Sequence, residues 1–235
     1  MKATIVLVTY QHSDLSMKCI SSLATHTRER YSVVWVDNGS DFVHVKAVQD
    51  LLEASHPEKW EMIPLSKNAG FAAAANIGLD QVKTPYAVLL NNDVVVTDGW
   101  LRGLVEAIDS RPRYALIGAT TDNISSCQRY ERAAVRAGSG DFFDVERGNV
   151  AYFCVIIRMS ALIQVGKMDT RFFNGGEDDD LNDRLRAAGW KTGVTLRSFV
   201  YHKHLATRGE LPDFKENNRR NRELLERKRE ERRLK

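Results

Sequence analysis

Cysteine is scarce. Three residues, Cys19, Cys127 and Cys154, are too few, too scattered and odd in number for a disulfide framework. Their spacing fits no zinc site, and the pattern suits a reducing compartment. Long apolar runs are missing too: none approaches the roughly 18–20 residues that span a bilayer. Residues 1–10 hold one lysine and a strand-like run without a signal-peptide pattern. The expectation is a cytoplasmic protein, at most peripheral to a membrane. There is no internal repeat. Charge of one sign is lacking over most of the chain. Net charge is +3, and residues 213–235 alone hold ten Lys/Arg against six Asp/Glu, so the rest is close to neutral.

The 235 residues are 43% hydrophobic and 28% charged, an ordinary balance for a soluble domain with a sizeable core. Apolar runs at Thr4–Thr9, Ser32–Val36, Trp60–Leu65 and Tyr86–Leu90 read as strands. Between them, Leu15–Thr25 (with Asp14 as N-cap), Val43–Ala54 and Phe71–Val82 read as helices. This alternation predicts an α/β fold with a mostly parallel central sheet covered by helices on both faces. Further on, Trp100–Asp109, Ser160–Val165 and Glu177–Ala188 (closed by Gly189) read as helices. Val150–Ile157, Thr192–Leu196 and Ser198–Tyr201 read as strands. Residues 119–147 carry no legible pattern. The expected division is one domain over 1–212 and a charged helical tail over 213–235, whose plainer reading is a solvated helix.

Ligands of such sheets bind beyond the carboxyl ends of the strands, where Thr9, Asp37, Asn68 and Asn91-Asn92-Asp93 all fall. A carboxylate at a strand end, as in Asp93, suits a hard cation that keeps phosphates and waters in its shell; a polar turn is the plainer alternative. Glu177-Asp178-Asp179-Asp180 opens a helix. Acids favour helix N-termini, but four in a row exceed what capping needs. Glu177 and Asp178 lie four and three residues before Leu181, on the apolar stripe, and so should face the sheet. Asp180 precedes Arg184 by four and suits an ion pair with it. Asp178 is the candidate general base with Glu177 in support; a carboxylate suffices if the hydroxyl deprotonates late. Gly70, opening the Ala-rich helix, is a candidate phosphate-side contact. His202 and His204 follow the last strand, and either could be a metal ligand.

Five segments together, Val8-Thr9-Tyr10, Val36-Asp37-Asn38-Gly39-Ser40, Asn68-Ala69-Gly70-Phe71 with Asn76-Ile77-Gly78, Leu90-Asn91-Asn92-Asp93, and Glu177-Asp178-Asp179-Asp180-Leu181 with Arg184, resemble family 2 glycosyltransferases of the GT-A type, over about residues 3 to 205. The resemblance implies inverting transfer of a sugar from a nucleotide-diphosphate sugar to an acceptor hydroxyl on a glycan, a lipid-linked molecule or another compound. It implies that Thr9, Tyr10 and Asp37 surround base and ribose, that Asn68, Asn91 and Asn92 border the nucleotide, that Asp93 holds Mn²⁺ or Mg²⁺, and that Asp178 is the general base. His202 matches a late histidine of the metal shell, with His204 as the fallback. Asn91 stands where the family often has an acid, which implies a lower metal affinity or a more exchangeable cation.

Two rivals are weighed against this. A nucleotidyltransferase or pyrophosphorylase would show glycines with Arg and Lys in the first loop, and Tyr10-Gln-His-Ser-Asp14 has none. A noncatalytic nucleotide-sugar-binding module would be expected to have damaged acidic motifs, and these are intact. The basic tail suits weak contact with an acidic surface; it is also the only hint of nucleic acid.

Overall fold

Strand β1 (Ala3–Thr9) divides its side chains between two cores. Ile5 and Leu7 enter one apolar cluster, Val6 and Val8 the other, as the period of two requires. β4 (Tyr86–Asn91) does the same with Val88 and Leu90 against Ala87 and Leu89. Helices therefore cover both faces. α1 (Ser13–His26), α2 (Phe42–Ser55) and α4 (Trp100–Asp109) supply the first core, with Ile20, Leu52, Trp100 and Leu104. α3 (Phe71–Asp80), α6 (Met159–Val165) and α7 (Glu177–Ala187) supply the second, with Ala75, Leu79, Leu162, Leu181 and Leu185. Burying a side chain of this size stabilises by roughly 1.5–3 kcal/mol.

The structure, a computed structural model, describes residues 2–55, 57–124, 126–203 and 213–234. The remaining elements are β2 (Ser32–Asp37), β3 (Lys59–Pro64), β5 (Val94–Val96), β6 (Tyr114–Thr121), α5 (Tyr130–Ala137), β7 (Phe142–Asp144), β8 (Cys154–Arg158), β9 (Lys191–His202) and α8 (Phe214–Arg233). The sheet runs β3-β2-β1-β4-β8-β6-β9-β5, with β7 also on β9. The first four strands are parallel, as expected. β8 then enters antiparallel between β4 and β6, and β5 and β7 pair antiparallel with β9. Among the described residues no helix is long and apolar enough to cross a membrane.

Several local expectations change. Asp14 does not cap α1: His12, in the left-handed region at φ 52°, precedes the helix and Asp14 lies in its first turn. The unread stretch contains the end of β6, α5 and β7. β8 starts at Cys154 and not at Val150, because side-chain amides occupy the backbone of residues 150 and 151 (below). The two last strands are one, β9, which absorbs a register shift opposite Gly118 and Thr120 of β6. The tail residues form α8, exposed along one face and packed along the other. α8 lies on α7, with Lys228 and Arg232 on Asp180, and Arg229 on Asp183. Three of the tail's cations are thus paired with acids of α7.

Candidate active site

The parallel register aligns the strand ends that matter. Thr9 pairs with Asp37, and Val8 with Asn91. Asp37 is 2% exposed. It accepts from Thr9 Oγ1 at 3.4 Å and from the Ser40 N–H at 3.0 Å. Thr9, fully buried, also accepts from Trp35 Nε1 at 2.9 Å, so its side chain positions Asp37 from below and does not line an open cleft. Tyr10 is half-buried immediately after it. Beneath Asp37 lies His44, with Nε2 at 3.8 Å from its Oδ1; burial holds this imidazole below its ordinary value despite Asp37 and Asp41.

Asn38, which sequence reasoning did not single out, ties this turn to the next loop. Its Nδ2 donates to Asn68 Oδ1 at 3.0 Å, and its Oδ1 accepts from the Ala69 N–H at 2.9 Å. Asn68 Oδ1 also accepts from the Gly70 N–H at 2.9 Å. Asn68 therefore shapes the loop that opens α3. The signal was the Asp-Asn-Gly-Ser turn itself, whose asparagine can donate and accept at once. The two loops touch so closely that a Cβ on Gly39 (φ +85°) would sit 2.5 Å from the Lys67 carbonyl carbon. Gly39→Ala is expected to destabilise the protein by roughly 2 kcal/mol or more, read as a lower urea midpoint; an unchanged midpoint would refute the close packing.

At the end of β4, Asn92 Nδ2 donates to Ser16 Oγ at 3.0 Å. That bond anchors the turn to α1 and keeps Asn92 buried. Asp93 lies 3.3 Å from His202 Nε2, with both side chains under 10% exposed. β5 and β9 bring them together by pairing Val94 with His202. Phe153 stacks on the imidazole at 4.7 Å, and the His202 N–H reaches Asp122 Oδ1 at 3.4 Å. Asp122, in the stretch that could not be read from sequence, joins Asp93, His202, Lys18 and Lys203 around a cleft of about 330 Å³. Asn91 Oδ1 is a buried atom with no hydrogen-bond partner among the described residues, and Asp93 Oδ1, buried near it, faces the His202 imidazole. An orphaned acceptor such as that of Asn91 costs about 1–3 kcal/mol. No group of three or more His, Cys, Asp or Glu placed to hold a metal occurs among the described residues. Carboxylate and amide oxygens with one imidazole nonetheless suit Mn²⁺ or Mg²⁺, whose shells are completed by phosphates and waters. His204 lies outside the described residues.

The acid helix stands on the other core. Glu177 is buried and folds back, its Oε2 accepting from the Gly175 N–H at 2.6 Å, so it holds the loop before the helix. Asp178 is half-buried and accepts from Asn149 Nδ2 at 3.2 Å and from the Asp179 N–H at 2.9 Å. Its charge, after burial, is among the causes that push the Tyr152 phenol well above its usual value. Asp180 is the most buried of the four and pairs with Arg184 as expected, at 2.9 Å. Its further pairs with Lys228 and Arg232 give this acid a purpose beyond capping. The Phe71 N–H, at the start of α3, donates to Asn174 Oδ1 at 2.8 Å, so the Asn68–Gly70 loop and the acid loop border one another. Phe173 packs 2.9 Å from where a Gly70 Cβ would be.

Four side-chain amides brace these loops in the same way, each binding both the N–H and the C=O of a single residue: Asn76 with Met168, Gln128 with Ala151, Asn182 with Val150, and Asn221 with Phe173. Each completes backbone bonds where no neighbouring strand does.

Residues 4–164 match the family model described as Glycosyl transferase family 2. An N-acetylglucosaminyl-diphospho-decaprenol L-rhamnosyltransferase of Mycobacterium tuberculosis is 26% identical over 245 residues, covering 88% of this chain and 78% of the relative. Among solved structures, a mannosyltransferase from Pyrobaculum calidifontis in complex with GDP-Man and Mn²⁺ has a TM-score of 0.72 at 16% identity, covering 88% of this chain. GalNAc-T7 with UDP, GalNAc and Mn²⁺ has a TM-score of 0.70 at 17% identity, covering 86% of this chain. The chain spans 58% and 44% of those two solved chains, and the likeness is one of fold.

Proposed function

From the premise that the chain belongs to glycosyl transferase family 2 and is a glycosyltransferase, we propose that it moves a sugar from a nucleotide-diphosphate donor to an acceptor hydroxyl by one inverting displacement, with Asp178 as the general base. The observation that carries this reading is the segment 149–153. Asn149 at one end donates to Asp178, and Phe153 at the other stacks on His202, which pairs with Asp93. Four Cα–Cα steps keep the Cα atoms of those two anchors within about 15 Å of each other. On this reading the two carboxylates, reached through the side chains at either end of the segment, flank one donor sugar.

Asp37, fixed by Thr9 and Ser40, is positioned to accept from the base or ribose, with Tyr10 beside it. The Asn68–Gly70 loop flanks the donor. Asp93 and His202 would hold Mn²⁺ or Mg²⁺, which when bound supplies Lewis-acid stabilisation of the departing diphosphate. Asp178 takes the acceptor proton as the new glycosidic bond forms, and Glu177 keeps the loop before it in place. The acceptor is a hydroxyl on a glycan, a lipid-linked molecule or another compound; the lipid-linked class draws support from the name of the mycobacterial relative.

Thermal unfolding with UDP or GDP, with and without Mn²⁺, tests the donor side. Nucleotide with Mn²⁺ at a hundred times its Kd should stabilise the wild type by about 2.7 kcal/mol. Asp93→Ala should lose the Mn²⁺-dependent part of the rise and keep any metal-independent part. An undiminished Mn²⁺ increment in Asp93→Ala would defeat the assignment.

A further inference from the structure

We infer that α8 is a positioning element of the active site, acting through Asn221 on the loop that delivers Asp178; this deepens the reading of Asp178 as the base and rests on it. The loop from Phe172 to Gly176 is poorly restrained by its own chemistry. Gly175 and Gly176 have φ of 146° and 90°, and Asn174 has φ 52°. Two consecutive glycines allow many backbone states, so something outside the loop must select one.

From the inner side, Asn174 and Glu177 hold the loop to α3 and to itself. From the outer side, α8 holds it. Asn221, 6% exposed, accepts from the Phe173 N–H at 3.3 Å and donates to the Phe173 C=O at 3.0 Å. Its Cβ lies 3.6 Å from where a Cβ on Gly176 would be, directly against the residue that precedes α7. Phe172, 1% exposed, packs in a small core with Leu224 and Leu225. Lys228 Nζ lies 5.5 Å from the Phe172 ring centroid.

The same helix grips α7 just past Asp178. Lys228 and Arg232 both reach Asp180 Oδ1 at 3.0 Å, and Arg229 reaches Asp183 Oδ2 at 2.7 Å. Asp178 is thus bracketed, with α8 contacts on the loop before it and on the turn after it. A helix that served stability alone would need the ion pairs and the leucines. The paired hydrogen bonds to Phe173 add a fixed conformation of the glycine-containing loop that precedes Asp178. Misplacing a catalytic group by about 1 Å from afar costs on the order of a hundredfold in rate.

The test uses the full chain carrying Asn221→Ala, with Asn221→Ser as a variant that keeps one hydroxyl for the Phe173 N–H. Two readouts are taken: hydrogen exchange over residues 172–178, and release of nucleoside diphosphate from GDP-mannose, UDP-N-acetylgalactosamine or a nucleotide-activated L-rhamnose, whichever the wild type turns over. Asn221→Ala should speed exchange at 172–178 while 181–187 stay protected. It should lower kcat about tenfold to a hundredfold with donor KM within about twofold, and Asn221→Ser should fall between it and the wild type. Unchanged exchange at 172–178 overturns the inference, as does faster exchange with an unchanged kcat. Failure of the base reading looks different: Asp178→Asn would then turn over normally, whatever Asn221→Ala does.

Discussion

Asp178→Asn is expected to lower the transfer rate by roughly 10²–10⁴-fold while donor binding stays near that of the wild type. The substitution keeps the shape of the side chain and removes its capacity to take a proton. Position argues for this residue over its neighbours. Glu177 is turned back onto Gly175, and Asp180 is fully buried among Arg184, Lys228 and Arg232. Asp178 is half-buried and rests against Asn149, at the end of the segment that runs to the Asp93–His202 pair. Its contacts with Asn149 and the Asp179 N–H fix the direction of the carboxylate, and one remaining amide oxygen can preserve either of them. Steady-state transfer with a donor identified by thermal stabilisation reads the result. A variant that retains wild-type kcat while folded would end the assignment of Asp178 as base.

The second large effect is on stability. Asp180→Ala is expected to cost about 3–5 kcal/mol, because it removes the fully buried carboxylate that Arg184, Lys228 and Arg232 share. In a chain of this size that lowers Tm by roughly 6–20 °C. Burial alone would raise the Asp180 carboxyl, but Arg232, Lys228 and Arg184 outweigh it and hold the group below its ordinary value. Asp169 is shifted the same way, chiefly by Arg171 and then, against burial, by Lys228. A carboxyl with a depressed folded pKa contributes stability above its unfolded value, near pH 4, and loses that contribution as pH falls through the folded value. Tm should therefore drop steeply below about pH 4 in the wild type, and less steeply in Asp180→Ala. Equal acid slopes for the two proteins would show that the α7–α8 pairs do not couple protonation to folding.

The parallel half of the fold was legible because β1, β2 and β4 are apolar runs between helical patterns, and strand ends such as Asp37 and Asp93 announce themselves by charge. The pairing of Asp180 with Arg184 was legible for a similar reason, since four residues separate neighbours on a helix. What could not be read depended on distant partners. Lys228 and Arg232 lie about fifty residues from Asp180, so four acids in a row looked excessive for a cap while half of their purpose lay in α8. The contribution of Asp122 was hidden because β6 ends in a polar stretch whose strand is defined by β8 and β9. The late start of β8 escaped notice because Val150 to Phe153 are as apolar as any strand, and only the amides of Gln128 and Asn182 show why the ladder stops short.

Those amides have a chemical consequence. An asparagine or glutamine that serves one residue's N–H and C=O together loses half of that service on hydrolysis to the acid, which sets an anionic oxygen against a carbonyl oxygen. Gln128, Asn182 and Asn221 each brace a loop beside Asp178 or the segment leading from it. Converting any of the three to its acid is therefore expected to disturb the loops around Asp178 more than the two apolar cores, so that such a variant would lose loop order while still looking folded.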